Sequence, residues 1–129
     1  MSNQPKLHIL VVDDEASIRR LLPLLFRRAG YSAQTASDGR EALALLTGSE
    51  TPFDVLITDH EMPEVRGDEL VESLRSIGFA GAIFVCSAYL TPDLVTHYRR
   101  LGVRECFSKP VLWEDLRERV ADIAAHRQS

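Results

Sequence analysis

Cysteine is scarce in this chain: Cys86 and Cys106 are the two, and neither sits in a CxxC or Cys/His spacing. That argues against the common zinc ligand sets and makes a disulfide or a metal pair the less favoured reading. Both thiols lie in apolar, strand-like runs, which reads as reduced, buried cysteine in a cytoplasmic protein. A basic excess is missing too. The formal net charge is −4, so the chain carries no electrostatic footprint for nucleic acid, and no direct nucleic-acid partner is expected. No apolar run approaches the length of a membrane span, and residues 1–5 lack the charged-then-apolar order of a signal peptide, so no membrane association is expected. Internal repeats, linkers and low-complexity segments are absent. The 129 residues suffice for one ordinary domain with one core and fall short of two.

What the sequence does have is a regular alternation. Leu7 to Val12 is a continuous apolar run that suits a strand buried on both faces. A helix follows, with Ile18, Leu21, Leu22 and Leu25 at i, i+3, i+4 and i+7. Pro23 lies inside it and is expected to kink it or cost stability, and Gly30 is a stop signal. Residues 31–36 alternate like an edge strand. Asp38 and Glu41 have the spacing of a helix cap with its acidic partner, and Ala42 to Leu46 continue that helix. Val55-Leu56-Ile57 is the central buried strand. A helix with Leu70, Val71, Leu74 and Ile77 on one face ends at Gly78. Ala82 to Cys86 is a fourth strand, and Thr91-Pro92 opens a fourth helix, with Leu94, Val95, Tyr98 and Leu101 facing inward. Val103 to Phe107 is a fifth strand. The last helix carries Leu112, Leu116, Val120 and Ile123, with fraying expected from Ala125 onward. Five βα units predict an α/β fold, a doubly wound parallel sheet in the flavodoxin-like order 2-1-3-4-5. The domain is expected over residues 5–126, with flexible termini at 1–4 and 127–129.

In such a fold ligands gather at the carboxyl ends of the strands. The first strand delivers Asp13 and Asp14 there, the third Asp59, the fourth Ser87 and the fifth Lys109. Singly, each has a bland reading as a cap, a turn former or a solvated lysine. Jointly, five such groups at four strand ends make a poor accident. Two carboxylates ~4 Å apart repel by about 4 kcal/mol at an effective dielectric near 20. Three therefore require a cation or a bound proton. An all-oxygen donor set suits Mg2+ (or Mn2+), an ion that takes one or two carboxylates beside a phosphate oxygen. An Asp can itself be phosphorylated, with a metal, an ammonium and a hydroxyl neutralising the equatorial oxygens.

The pieces Val11-Val12-Asp13-Asp14-Glu15, Ala36 to Leu43, Asp59 to Pro63 with Gly67, Ser87-Ala88 and Lys109-Pro110 occur in order along the chain. Together they resemble the receiver domain of bacterial two-component response regulators over essentially the whole length. The resemblance implies a phosphorylation-activated switch, not an enzyme beyond its own phosphorylation and autodephosphorylation. It implies that Asp59 accepts a phosphoryl group from a phosphohistidine on a sensor histidine kinase or phosphotransfer protein. Asp14, Asp59 and the backbone carbonyl of Glu61 would hold Mg2+, with Asp13 acting through a water. Lys109 would hold a phosphoryl oxygen across a cis bond to Pro110. Ser87 would bond the phosphoryl group and report it to a surface of helix four, strand five and helix five that meets an unknown effector. The setting is a single-domain regulator, a phosphorelay shuttle, or a receiver cut from a hybrid kinase or longer regulator.

Two positions depart from the family pattern. Cys106 stands where that family usually carries a Tyr or Phe reporter, and Phe107 should face the other side of the sheet. Switching is then expected to run through loop and backbone shifts or through Tyr89. His60 follows the acceptor where an apolar residue is usual, and a solvated loop histidine is expected. Glu61 and Tyr89 are expected to border the path of the hydrolysing water. Rival readings are a pseudo-receiver that only binds partners, an Asp-nucleophile phosphatase of the haloacid dehalogenase type, and a flavodoxin. The phosphatase lacks its Asp-x-Asp pair and a cap. The flavodoxin would need a phosphate beside Asp13-Asp14-Glu15, which repel it.

Overall fold

A computed structural model describes residues 7–127. The elements alternate as β1 (His8–Val12), α1 (Ala16–Arg28), β2 (Ser32–Ala36), α2 (Gly39–Gly48), β3 (Val55–Asp59), α3 (Gly67–Ser76), β4 (Ala82–Ser87), α4 (Pro92–Arg100), β5 (Glu105–Ser108) and α5 (Trp113–Arg127). The strands form one sheet in the order β2-β1-β3-β4-β5, and every neighbouring pair is parallel. This is the predicted doubly wound fold. The expectation of flexible termini at 1–4 and 127–129 lies outside the described residues, except that Arg127 continues α5.

Strand alternation divides the core. Leu10, Val12, Leu56, Ile83 and Val85 pack on one face with Leu70, Val71 and Leu74 of α3 and Tyr98 of α4. Ile9, Val11, Val55, Ile57, Phe84 and Phe107 pack on the other with Phe26 of α1 and Leu116 and Val120 of α5. Residues of β1 and β3 are buried throughout, because helices cover both faces of the central strands. The edge strand β2 turns Ser32 and Gln34 outward. On the opposite edge, Glu105 of β5 is paired with Arg119 of α5 at 2.7 Å.

Local signals set the helix ends. The Asp38 carboxylate accepts from the Glu41 N–H at 2.9 Å, and Thr91 Oγ1 accepts from the Leu94 N–H at 3.2 Å. Glu41 does not reach back to the cap; its carboxylate accepts from the Ser37 hydroxyl at 3.0 Å. Gly30 follows α1 with φ at 99°, where a side chain would be strained. Helix α1 runs unbroken through Pro23, which is buried. One boundary is revised. Strand β5 begins at Glu105 rather than Val103, since Gly102 turns with φ at 81° just before it.

Gly67, the first residue of α3, sits against the end of β3. A Cβ there would lie 2.6 Å from the Tyr98 hydroxyl and 2.7 Å from the Asp59 carbonyl oxygen. Gly48 at the end of α2 has nothing within 4 Å of the same position. Gly67→Ala is expected to lower stability by roughly 1–3 kcal/mol in urea unfolding, through overpacking. Gly48→Ala should be neutral or mildly stabilising in the same measurement.

Candidate functional site

Parallel pairing brings the strand ends into line. Val12 pairs with Thr58, Asp59 with Cys86, and Ser87 with Ser108, so the residues just beyond these positions face one crevice. Carboxylate oxygens of Asp13, Asp14 and Asp59 lie within 4.8 Å of one another. Asp13 and Asp59 are buried, while Asp14 is exposed. Lys109 Nζ stands 2.9 Å from Asp59 Oδ2 and 3.7 Å from Asp13 Oδ2. The Lys109-Pro110 bond is cis. The Lys109 N–H also donates to the Ser87 carbonyl at 2.9 Å, which fixes the lysine to the serine strand.

The electrostatics follow from burial. Desolvation pushes the Asp59 carboxyl up to about 6; Lys109 opposes this, and the charges of Asp13 and Glu61 add to it. Burial raises Asp13 above its ordinary value as well, against the Glu15 N–H and Lys109. Burial works to lower Lys109, but its hydrogen bond to Asp59 and the negative charge of Asp13 outweigh it and hold the ammonium above its usual value. Asp59 Oδ1 is buried and has no hydrogen-bond partner. A buried oxygen left bare on a carboxylate that clusters with two others is an unfinished coordination or bonding position. Hard oxygen donors of this kind fit Mg2+ or Mn2+.

Ser87 is fully buried, and its hydroxyl donates to Glu61 Oε2 at 2.8 Å. The Ala88 N–H donates to Glu61 Oε1 at 2.8 Å. The Tyr89 N–H donates to Ser87 Oγ at 3.2 Å, while the Tyr89 side chain is 81% exposed. Cys106 stays away from this edge. It pairs with Val85 inside the sheet and packs with the cluster that holds Tyr98. Phe107 packs on the opposite face, 6.0 Å from Phe84 between ring centroids.

His60 departs from the expected solvated histidine. It is half-buried, and its Nδ1 shares a hydrogen bond of 2.5 Å with the hydroxyl of the buried Tyr98, the rings meeting edge to face. Burial pushes the Tyr98 phenol well above its usual value, so it stays protonated. Sequence reasoning missed this pair. The partners are 38 positions apart, and no local pattern links a loop histidine to a tyrosine on the inward face of α4.

Residues 9–121 match the family described as the response regulator receiver domain. The chain is 38% identical over 102 residues to a response regulator receiver protein of Anaeromyxobacter sp. (strain Fw109-5), covering 79% of this chain and 42% of that protein. It is 31% identical to sporulation initiation phosphotransferase F of Bacillus subtilis, covering 87% of this chain and 89% of the relative. Among solved structures, the chemotaxis protein CheY4 of Vibrio cholerae superposes with a TM-score of 0.84 at 30% identity, covering 92% of this chain and 99% of that one. The chain thus spans less than half the length of the Anaeromyxobacter relative.

Because the fold holds Asp59 above its ordinary value, the ionised form is disfavoured by its surroundings. Its contribution to stability is present in full below 3.8 and is lost as pH rises through about 6. In metal-free buffer at neutral pH, Asp59→Asn is therefore expected to melt higher than wild type, by roughly 5 °C. Addition of Mg2+ should raise the wild-type melting temperature and do much less for the variant.

Proposed function

This chain belongs to the response regulator receiver domain family, and from that membership we propose that Asp59 is the phosphoryl acceptor of a two-component signalling switch. The observation that carries the proposal is the buried Asp59 carboxylate clustered with Asp13 and Asp14, its Oδ2 engaged by Lys109 and its Oδ1 without a hydrogen-bond partner.

Phosphoryl transfer asks the protein mainly for position and charge compensation. A carboxylate oxygen of Asp59 attacks the phosphorus of a donor phosphohistidine. The P–N bond breaks as the P–O bond forms, and the imidazole leaves as the base that takes up a proton. Lys109 orients the Asp59 carboxylate through Oδ2, and the ammonium is at hand for a phosphoryl oxygen as charge builds. Asp14, Asp59 and the Glu61 backbone carbonyl would hold Mg2+, with Asp13 acting through a water. That ion supplies neutralisation of the acidic cluster and of the incoming phosphoryl charge. Ser87 and the Ala88 N–H are the donors for the remaining phosphoryl oxygens.

The proposed partner is a histidine kinase or phosphotransfer protein. An apolar groove of about 430 Å3 between α1 and α5, lined in part by Ile18, Leu22, Trp113 and Leu116, opens beside Asp59 and Lys109. Leu21 and Leu112 are 53% and 66% exposed near it. Such a rim suits a helical partner that must bring its phosphohistidine within reach of the acceptor. No helix among the described residues is long and apolar enough to cross a membrane. The output would reach the surface of α4, β5 and α5 by loop and backbone movement, since Cys106 offers no ring to swing.

Incubation with Mg2+ and acetyl phosphate is expected to add one phosphoryl mass to the wild type and none to Asp59→Asn in intact-mass spectra. Chelation of the metal should abolish the addition. Unchanged mass with every small donor and with kinase would favour a module that only binds partners. In backbone spectra with beryllofluoride, the largest shifts are expected in the loops after β3 and β4. An inward ring movement at Phe107 would contradict the loop route.

A further inference from the structure

Glu61 already does, with its own carboxylate, what a phosphoryl group is expected to do. It lies two residues past Asp59, on the loop leaving β3. Oε2 accepts the Ser87 hydroxyl and Oε1 accepts the Ala88 N–H, each at 2.8 Å. One anion thus spans a hydroxyl and a backbone amide at the end of β4. A hydroxyl has one proton to give, and so has an amide. While Glu61 holds both, neither can serve a phosphoryl oxygen on Asp59. The competition is stoichiometric before it is electrostatic. The electrostatic part points the same way, because the Glu61 charge is among those that oppose ionisation of Asp59.

The surroundings make the contact reversible. Ser87 is fully buried and cannot follow its partner outward. Glu61 is exposed, so its side chain can swing into solvent with little desolvation to undo. Charge-assisted hydrogen bonds to two donors are strong enough to be occupied at rest. A covalently placed dianion with a neighbouring metal is the stronger competitor.

We propose that the Glu61 carboxylate is an internal surrogate for the phosphoryl group, a latch on Ser87 and Ala88 that must be displaced for the phosphorylated state to form. This rests on the reading of Asp59 as the acceptor. The latch holds the loop after β3 to the loop after β4 in the resting protein, and its release frees the segment that leads into α4. Glu61 therefore sets how readily the group is taken up, which is separate from its expected influence on hydrolysis. If Glu61 were only a staple between two loops, its loss would loosen the fold without favouring the phosphoryl-bound form.

The test uses the whole chain with Mg2+ and beryllofluoride, followed by two-dimensional amide spectra, for wild type, Glu61→Ala, Glu61→Gln and Ser87→Ala. Removal of the carboxylate is expected to tighten beryllofluoride binding by roughly tenfold, equivalent to ~1.4 kcal/mol. The Gln variant, which keeps one acceptor, should fall between. In the Ser87→Ala background the gain from Glu61→Ala should shrink. Before any metal or mimic is added, the Ala88 amide proton should move upfield in Glu61→Ala as its charged acceptor is lost. Wild type that binds the mimic while both Glu61 variants bind it no tighter would overturn the latch and leave the acceptor assignment standing. Failure of wild type and both variants to bind the mimic would overturn the acceptor assignment and the latch together. Weak binding by wild type with clear binding by Glu61→Ala would support the latch directly.

Discussion

Mutual repulsion among carboxylates, held at one end of a buried sheet, is the constraint on which the rest of this molecule depends. Asp13, Asp14 and Asp59 are brought within 4.8 Å because β1 and β3 are hydrogen-bonded neighbours and both end at the same edge. Nothing about strand pairing makes this comfortable. At such a separation the buried pair of Asp13 and Asp59 repels by about 4 kcal/mol at an effective dielectric near 20, and the exposed Asp14 adds less because water screens it. The Lys109 ammonium, 2.9 Å from Asp59 and 3.7 Å from Asp13, offsets part of that. Burial of Asp59, more than the remaining repulsion, leaves it easier to protonate than an ordinary aspartate and eager for a cation. The stored repulsion is local, and the apolar faces of β1 and β3 supply the burial that tolerates it.

The lysine is where it is because of the sheet as well. β5 is an edge strand, yet its far end is tied to β4 through the Lys109 N–H and the Ser87 carbonyl. Acceptor, hydroxyl and ammonium therefore come from the ends of three strands in adjacent register, so the sheet fixes the backbone positions from which they extend. Side chains on the intervening loops are the adjustable parts. Glu61 is bonded toward β4, and His60, the residue before it, is bonded toward α4. One short loop thus touches both ends of the segment from β4 into α4.

Much of this was legible in the residues. The unalternating runs at Leu7 to Val12 and Val55 to Ile57 predict strands buried on both faces, and they are. The acids, the serine and the lysine at strand ends predict a shared crevice, because parallel topology leaves them nowhere else to go. What was not legible depends on side-chain direction across long sequence separations. The His60 ring could have pointed to water, and it turned inward because Gly67 leaves room for the Tyr98 hydroxyl beside the Asp59 carbonyl. The side chain of Glu61 could have faced solvent, and it found two donors that end a strand 26 and 27 residues away. Pro23 lies buried within a continuous α1, so the packing accommodates a residue that removes a helix hydrogen bond.

The rims of the sheet have a consequence of their own. On β2 the outward positions are the polar Ser32 and Gln34, and on β5 the acid Glu105 is clasped by Arg119. Hydrophilic margins of this sort discourage a foreign strand from extending the ladder. Encounters with other macromolecules are thereby steered onto the helical flanks, where contact can form and dissolve without threatening the sheet that keeps the acids together.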